Sequence, residues 1–129
     1  MPQILIVDDH PLVREAVSCI LHALLDQSMI REAGSVNEAC QTARLHPQLD
    51  MILFDLMLPD VSGLDGLIAI RRHFPIAPVL VFTALDDAKI AAKAMALNKT
   101  AAKRLSKLKL NPIWRKMQQL LADAVFIRQ

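Results

Sequence analysis

Short apolar runs alternate with longer amphipathic stretches along the first two thirds of the chain. Runs rich in branched aliphatic side chains occupy residues 4–7, 51–54 and 79–82. Runs of this length are typical of strands that are buried on both faces of a parallel sheet. A weaker strand is predicted at residues 29–33, just before Gly34. The pattern therefore predicts four strands in the region up to residue 82.

Apolar residues at helical spacing fill the intervals between these runs. A first helix is predicted from Pro11, because proline is tolerated in the first turn of a helix. Its apolar positions are Leu12, Val13, Ala16, Val17, Ile20, Leu21 and Leu24. A second helix should begin after Ser35, which forms an S-x-x-E capping box with Glu38, and should end at about His46. A third should begin at Gly63. This alternation predicts an α/β fold with a doubly wound parallel sheet and right-handed crossovers.

The segment after Thr83 is compatible with two structures. Apolar residues step by three or four positions through residues 86–110, and the Ala- and Lys-rich content favours one long helix there. The alternative is a fourth helix followed by an ordinary fifth strand within residues 99–108. If the long helix forms, it leaves a bare sheet edge and an apolar stripe, and a homodimer would cover both.

Composition indicates one globular domain that spans residues 1–129, with no output domain in this chain. The chain is 53% hydrophobic and 22% charged, and no apolar run approaches the roughly 20 residues of a membrane span. The apolar run before Asp8 is only four residues long, residues 4–7, so the start of the chain does not resemble a secretory signal. We therefore predict a cytoplasmic protein without membrane association. Cys19 and Cys40 lack metal-like spacing and are predicted to be buried, reduced thiols.

The net charge of +2 conceals an uneven distribution. Residues 1–83 carry a net charge of −5, whereas residues 84–129 carry +7 and contain every Lys of the chain. A basic segment of this kind can bind nucleic acid or form a Lys-rich solvated helix face, and the second interpretation is favoured. No helix-turn-helix pattern with a turn glycine is found there. We therefore predict no direct nucleic-acid binding by this domain.

Three carboxylates are predicted to meet at one edge of the sheet. Asp8 and Asp9 follow the first strand, and Asp55 follows the third. Two such charges ~4 Å apart repel by roughly 4 kcal/mol at an effective dielectric constant of ~20, so the cluster calls for a cation. Oxygen-only ligands suit Mg²⁺. For the same reason His10, beside the Asp pair, is expected to be a loop residue rather than a ligand.

Three motifs stand in a fixed order along the chain. Residues 4–14 read I-L-I-V-D-D-H-P-L-V-R, residues 53–63 read L-F-D-L-M-L-P-D-V-S-G, and Thr83 and Ala84 follow the fourth apolar run. Together they resemble the receiver domain of two-component response regulators, specifically of the LuxR/NarL-type transcription factors. The resemblance implies a flavodoxin-like sheet with strand order 2-1-3-4-5.

The resemblance also implies roles for individual residues. Asp55 would be the phosphoacceptor, taking a phosphoryl group from a sensor histidine kinase or a small phosphodonor. Asp8, Asp9 and Asp55 would hold Mg²⁺ together with the main-chain carbonyl of Met57, and the Thr83 hydroxyl would bind the phosphoryl group. The implied function is a phosphorylation-dependent switch rather than an enzyme. It would alter a protein–protein surface and control transcription through an output domain.

The chain departs from the family pattern after Thr83. The match is strongest over residues 3–90, and residues 86–129 are atypical, with no Gly and no Tyr. The family's phosphate-site lysine is best matched by Lys107, and Lys103 is the second candidate.

Two other functions remain open at this point. A degenerate receiver would act as a protein–protein assembly or dimerisation module without phosphorylation. A haloacid-dehalogenase-type phosphatase also uses an Asp nucleophile with Mg²⁺, but that family has a second Asp where this chain has Met57.

Overall fold

A computed structural model describes residues 1–25, 27–55, 58, 60, 63–75 and 77–82 of the chain. In chain order, the elements are β1 (Gln3–Val7), α1 (Pro11–Leu24), β2 (Met29–Ala33), α2 (Val36–Leu45), β3 (Met51–Asp55), α3 (Gly63–His73) and β4 (Val79–Phe82). The four strands and three helices that the hydrophobic pattern predicts up to residue 82 are therefore confirmed, with bounds that differ by one or two residues.

The strands form a parallel sheet in the order β2-β1-β3-β4. The chain begins near the middle of the sheet, moves outward to β2 and then crosses back to β3. This reversal puts the carboxyl ends of β1 and β3 side by side, where Val7 pairs with Phe54. The predicted doubly wound α/β fold is confirmed, and the observed order agrees with the 2-1-3-4 part of a flavodoxin-like sheet.

Each central strand is buried on both faces, which explains its continuous apolar sequence. Alternate side chains point to opposite layers because the period of a strand is two. The side that packs with α2 and α3 contains Leu5, Val7, Ile52, Phe54, Val79 and Val81. The side that packs with α1 contains Ile4, Ile6, Met51, Leu53 and Leu80.

Helix α1 buries a narrower face than its apolar sequence suggests. Val17 and Leu21 are buried against the sheet, whereas Leu12 is 80% exposed and Leu24 is 39% exposed. The prediction of a buried Cys19 is wrong: Cys19 lies on the exposed side of α1, although the thiol is free as expected. Cys40 is free and buried, and burial raises the pKa of its thiol.

Helix α2 begins with the predicted capping box. The Ser35 hydroxyl oxygen accepts a hydrogen bond from the main-chain N–H of Glu38 at 3.1 Å, and the Glu38 carboxylate accepts one from the N–H of Gly34 at 2.8 Å. The first bond satisfies a donor that the first turn of a helix leaves without an intrahelical partner, and the second ties the chain just before the N-cap to the helix. The turn between β2 and α2 is therefore fixed by its own sequence.

Several predictions lie outside the described residues. They concern Met57, Thr83, Lys103 and Lys107, together with the choice between a fifth strand and a long helix. None of the helices among the described residues combines the length and the apolar character of a membrane-spanning segment.

Candidate functional site

Acidic side chains converge at the carboxyl edge of the sheet. Asp55 is the last residue of β3, and Asp8 and Asp9 directly follow β1, the neighbouring strand. One carboxylate oxygen from each of these three residues and one ring nitrogen of His10 all lie within 4.8 Å of one another. The end of β4 adjoins the same place, because Asp55 pairs with Phe82 in the sheet register.

Burial makes this acidic cluster electrostatically costly. Asp8 and Asp55 are fully buried, and the side chain of Asp9 is 30% exposed. Two carboxylate charges ~4.8 Å apart repel by about 3 kcal/mol at an effective dielectric constant of ~20. A divalent cation shared by the oxygens would convert this repulsion into attraction. The donor set fits Mg²⁺, which prefers oxygen ligands and is commonly held by one or two carboxylates plus water and phosphate oxygens.

His10 is closer to the carboxylates than sequence reasoning anticipates. Its Nδ1 atom lies 2.8 Å from Oδ1 of Asp8 and 2.9 Å from Oδ1 of Asp9. Its main-chain N–H also donates to Oδ1 of Asp8 at 2.8 Å. The sequence did indicate that His10 is near the carboxylates, because it directly follows the Asp pair. It could not indicate where the ring points, because that direction depends on the turn into α1.

Arg14 holds the main chain beneath the site. One guanidinium nitrogen, Nη1, donates to the carbonyl oxygen of Asp8 at 2.6 Å, and Nε donates to Glu32 on β2 at 3.2 Å. On the other side, the N–H of Asp8 donates to the carbonyl of Ala33 at 3.0 Å. Both main-chain groups of Asp8 are therefore fixed by neighbouring elements, which orients the turn that carries the two acidic side chains. Sequence reasoning missed this role for Arg14.

Asp60 connects the loop after Asp55 to helix α2. Its two carboxylate oxygens accept hydrogen bonds from the main-chain N–H groups of Val36 and Asn37, each at 3.2 Å. A carboxylate at this position also interacts favourably with the positive end of the helix dipole. Sequence reasoning missed this contact, because its partners lie more than twenty residues earlier in the chain and no local pattern indicates it.

The structure thus brings together three of the predicted site residues: Asp8, Asp9 and Asp55. The other three, Met57, Thr83 and Lys107, lie outside the described residues.

Known sequences resemble the chain over most of its length. The sequence profile of the response regulator receiver domain matches residues 4–111. The glycerol metabolism activator of Pseudomonas putida is 37% identical over 95 residues, which cover 74% of this chain and 43% of that protein. The nitrate/nitrite response regulator protein NarP of Escherichia coli K12 is 38% identical over 84 residues, which cover 65% of this chain and 39% of that protein. The chain thus spans about two fifths of the length of these relatives.

Solved structures show the same fold. A LuxR-family two-component response regulator from Aurantimonas sp. SI85-9A1 is 30% identical with a TM-score of 0.62, and the match covers 74% of this chain and 67% of that one. The receiver domain of RcsB from Salmonella enterica serovar Typhimurium has a TM-score of 0.65 over 75% of this chain and 72% of that one. At 21% identity, that second likeness supports the fold alone. The profile match, the sequence identities and the sheet order together show that the chain belongs to the family of response regulator receiver domains.

Proposed function

We propose that this chain is a phosphorylation-dependent signalling switch in which Asp55 accepts a phosphoryl group while Asp8 and Asp9 help to hold Mg²⁺. The donor is a sensor histidine kinase or a small phosphodonor. One observation carries the proposal: the three carboxylates lie within 4.8 Å of one another at the carboxyl edge of the sheet. Ligands of open parallel sheets bind at this edge, where the strand order reverses.

The chemistry needs one nucleophile and a well-oriented anion site. A carboxylate oxygen of Asp55 attacks the phosphorus of the donor, the bond from phosphorus to the donor's leaving group breaks, and the leaving group departs with the bonding electron pair. The product is an acyl phosphate on Asp55. When bound, Mg²⁺ neutralises charge on the phosphoryl oxygens, and positioning and electrostatics account for most of the catalysis of such transfers. The bonds that fix Asp8 from both sides contribute to that positioning.

The remaining roles extend the proposal to residues outside the described part of the chain. The main-chain carbonyl of Met57 completes the metal ligands, the Thr83 hydroxyl binds the phosphoryl group, and Lys107 pairs with it, with Lys103 as the alternative. These assignments rest on the motif match. Phosphorylation then alters a surface that partner proteins bind.

The biological setting belongs to the same proposal. The relatives are regulators of more than twice the matched length, which supports control of transcription through an output domain. A receiver domain acts on itself rather than turning over a metabolite. A cytoplasmic location is part of the proposal, because it is typical of response regulators. If residues 86–110 form the long helix, a homodimer is the prediction for the atypical last third.

A second function deserves a test because residues 86–129 are atypical of the family, with no Gly and no Tyr. In this second function, the chain is a receiver that assembles with partners without being phosphorylated. The two functions share the fold and differ in whether Asp55 is chemically modified.

Intact-mass measurement after incubation with Mg²⁺ and a small acyl phosphate separates the two functions. We expect the wild-type chain to gain one phosphoryl group and Asp55→Asn to gain none. Asp65→Asn, which removes an exposed carboxylate from α3, is the matched control and should be labelled like the wild type. Chelation of Mg²⁺ should suppress the label. Equal labelling of wild type and Asp55→Asn would refute Asp55 as the acceptor, and no labelling of either would favour the assembly module.

A further inference from the structure

We propose that Asp60 is a positioning residue for the metal site: its carboxylate ties the loop after Asp55 to the start of α2 and thereby raises the affinity for Mg²⁺. The inference rests on the proposed function, because it needs a metal ion bound near Asp55. It goes further by assigning a role in metal binding to a residue that is not itself one of the proposed ligands.

The first turn of α2 depends on Asp60 for two hydrogen bonds. Ser35 occupies the N-cap position, and its hydroxyl accepts the N–H of Glu38 at 3.1 Å. The two preceding N–H groups, of Val36 and Asn37, donate to Oδ1 and Oδ2 of Asp60, each at 3.2 Å. The first N–H groups of a helix have no intrahelical partner. The helix therefore uses both oxygens of a carboxylate that belongs to a distant part of the sequence.

Charge strengthens this link between the loop and the helix. Hydrogen bonds to an ionised carboxylate are stronger than those between neutral groups, and a negative charge at a helix N-terminus interacts favourably with the helix dipole. The donors are main-chain groups, which cannot rotate away as side chains can. Although Asp60 is exposed, its bond to Val36 is partly buried. The carboxylate therefore holds the loop against a fixed helix end.

Asp60 is one of two described points that hold the loop between β3 and α3. Leu58 is 8% exposed and belongs to the hydrophobic core on the side of α2 and α3. Asp60 follows it by two residues, and Met57, whose main-chain carbonyl is a proposed metal ligand, directly precedes it. Two anchors so close to Met57 limit the conformations open to its carbonyl. The link to α2 would therefore favour the conformation that binds the ion.

The same helix start also connects to the turn that carries Asp8. The N–H of Asp8 donates to the carbonyl of Ala33 at 3.0 Å, and Ala33 precedes Val36 by three residues. This short segment therefore bonds to the chain on both sides of the acidic cluster, at Asp8 and at Asp60. Ligands that are held in place before an ion binds lose less conformational freedom when it does.

Calorimetric titration with Mg²⁺ tests the role of Asp60. Asp60→Ala removes both bonds, and we expect its Mg²⁺ affinity to be about tenfold lower, as for other residues that orient metal ligands. Asp60→Asn loses the charge but keeps one acceptor oxygen, so its affinity should lie between those of the wild type and Asp60→Ala. Wild-type affinity in Asp60→Ala would overturn the proposal. An affinity as low in Asp60→Asn as in Asp60→Ala would also overturn it, because the charge and not the bonds would then be responsible.

Ser35→Ala is the matched control, because it removes an acceptor from the same helix turn and leaves the bonds to the loop. Both Ser35→Ala and Asp60→Ala should unfold at a lower urea concentration than the wild type, since each loses a cap of α2. Only Asp60→Ala should bind Mg²⁺ more weakly. An equal loss of affinity in the two variants would contradict the proposal, because the stability of α2 would then account for it.

Amide hydrogen exchange provides a measurement that is independent of phosphorylation. Coupling between two sites is reciprocal, so a metal ion that orders the loop should also slow exchange of the Val36 and Asn37 amides. We expect Mg²⁺ to slow this exchange in the wild type and in Ser35→Ala, but not in Asp60→Ala. Exchange of both amides that is unaffected by Mg²⁺ in the wild type would refute the link.

The phosphorylation assay distinguishes failure of this inference from failure of the proposed function. Asp60→Ala should still be labelled on Asp55 by a small acyl phosphate, with the half-maximal rate at about tenfold higher Mg²⁺ and a rate near that of the wild type at saturation. If the wild type binds Mg²⁺ and is labelled, and Asp60→Ala needs no more Mg²⁺, Asp60 has no positioning role and the proposed switch stands. If the wild type neither binds Mg²⁺ nor is labelled, both proposals fail.

Discussion

Arg14 is the residue whose contacts best explain how the acidic turn is held in place. It lies on α1, and it bonds both to the carbonyl oxygen of Asp8 and to Glu32 on β2. The bond to Asp8 is short and partly buried, whereas the ion pair with Glu32 is partly exposed. Exposed ion pairs contribute little to stability. We infer that the functional importance of Arg14 comes from its bond to the main chain beneath the proposed metal site.

Substitution of Arg14 should weaken metal binding more than folding. In Arg14→Met the carbonyl of Asp8 loses its donor, and the turn that carries Asp8 and Asp9 becomes less ordered. We expect Mg²⁺ affinity to fall by roughly tenfold, as for other residues that orient ligands. Calorimetric titration with Mg²⁺ measures the affinity, and urea unfolding measures stability.

A control separates the two contacts of Arg14. Glu32→Gln removes the ion pair and leaves the bond to Asp8, so it should bind Mg²⁺ like the wild type. Wild-type Mg²⁺ affinity in Arg14→Met, or an equal loss in Glu32→Gln, would show that the bond to Asp8 does not position the site.

At the scale of elements, α2 and α3 approach each other closely over the end of β3. Gly66 on α3 permits this contact: a Cβ atom at this position would lie 3.2 Å from Cζ of Phe54 and 3.2 Å from Cγ2 of Val36. Both neighbours are buried, at 1% and 4% exposure, so neither can move aside freely. Phe54 directly precedes Asp55, and the packing of α3 therefore supports the strand end that carries the predicted acceptor.

Gly66→Ala should destabilise the domain despite the better helix propensity of alanine. Alanine gains about 1 kcal/mol over glycine inside a helix. Overpacking of a well-filled core costs typically 1–3 kcal/mol. We expect a net loss of about 1 kcal/mol in the free energy of unfolding, measured by urea denaturation.

An exposed position on the same helix provides the comparison. Ile68 is 51% exposed, and Ile68→Ala should change stability by less than about 0.5 kcal/mol, as do most surface substitutions. A Gly66→Ala protein more stable than the wild type would mean that α3 can shift outward at little cost.

The elements that sequence reasoning predicted correctly are those with a strong local signal. The runs that became β1, β3 and β4 are apolar throughout because both faces of these strands are covered, and the capping box fixed the start of α2. Helix α1 shows the limit of this approach, since periodicity does not tell how wide a face is buried. Leu12 belongs to its apolar pattern and Cys19 is predicted to be buried, yet both are exposed.

The same distinction applies to the site. The meeting of Asp8, Asp9 and Asp55 follows from parallel strand ends and could be predicted from the topology. The contacts of His10 depend on a side-chain direction that no sequence pattern specifies. Those of Arg14 and Asp60 link separate elements of the fold, so the contacts of all three residues were found only in the structure.

At the scale of the whole molecule, the carboxylate charges of the site lower the stability of the fold, and a bound cation would offset that loss. The central strands are buried on both faces, and the carboxyl edge of the sheet carries two carboxylates without exposed surface, Asp8 and Asp55. Like charges in this position favour unfolding when no cation is bound. A ligand that binds only the folded state stabilises it, by about 2.7 kcal/mol at a concentration one hundred times the dissociation constant. The folded domain should therefore depend on divalent cations for part of its stability.

Asp55→Asn should reduce that dependence. Without divalent cations we expect the variant to be about 1–3 kcal/mol more stable than the wild type, because each like-charged pair removed relieves up to about 3 kcal/mol of repulsion at an effective dielectric constant of ~20. With saturating Mg²⁺ the wild type should gain more stability than the variant, so that the difference narrows or changes sign. Urea unfolding measures the free energy of unfolding of both proteins, once with chelator and once with Mg²⁺.

The control is Asp65→Asn, which changes an exposed carboxylate on α3 and should have the stability of the wild type in both conditions. If Asp55→Asn is instead less stable than the wild type in chelator, the Asp55 carboxylate is stabilised by its protein contacts, and the cluster would then not require a cation.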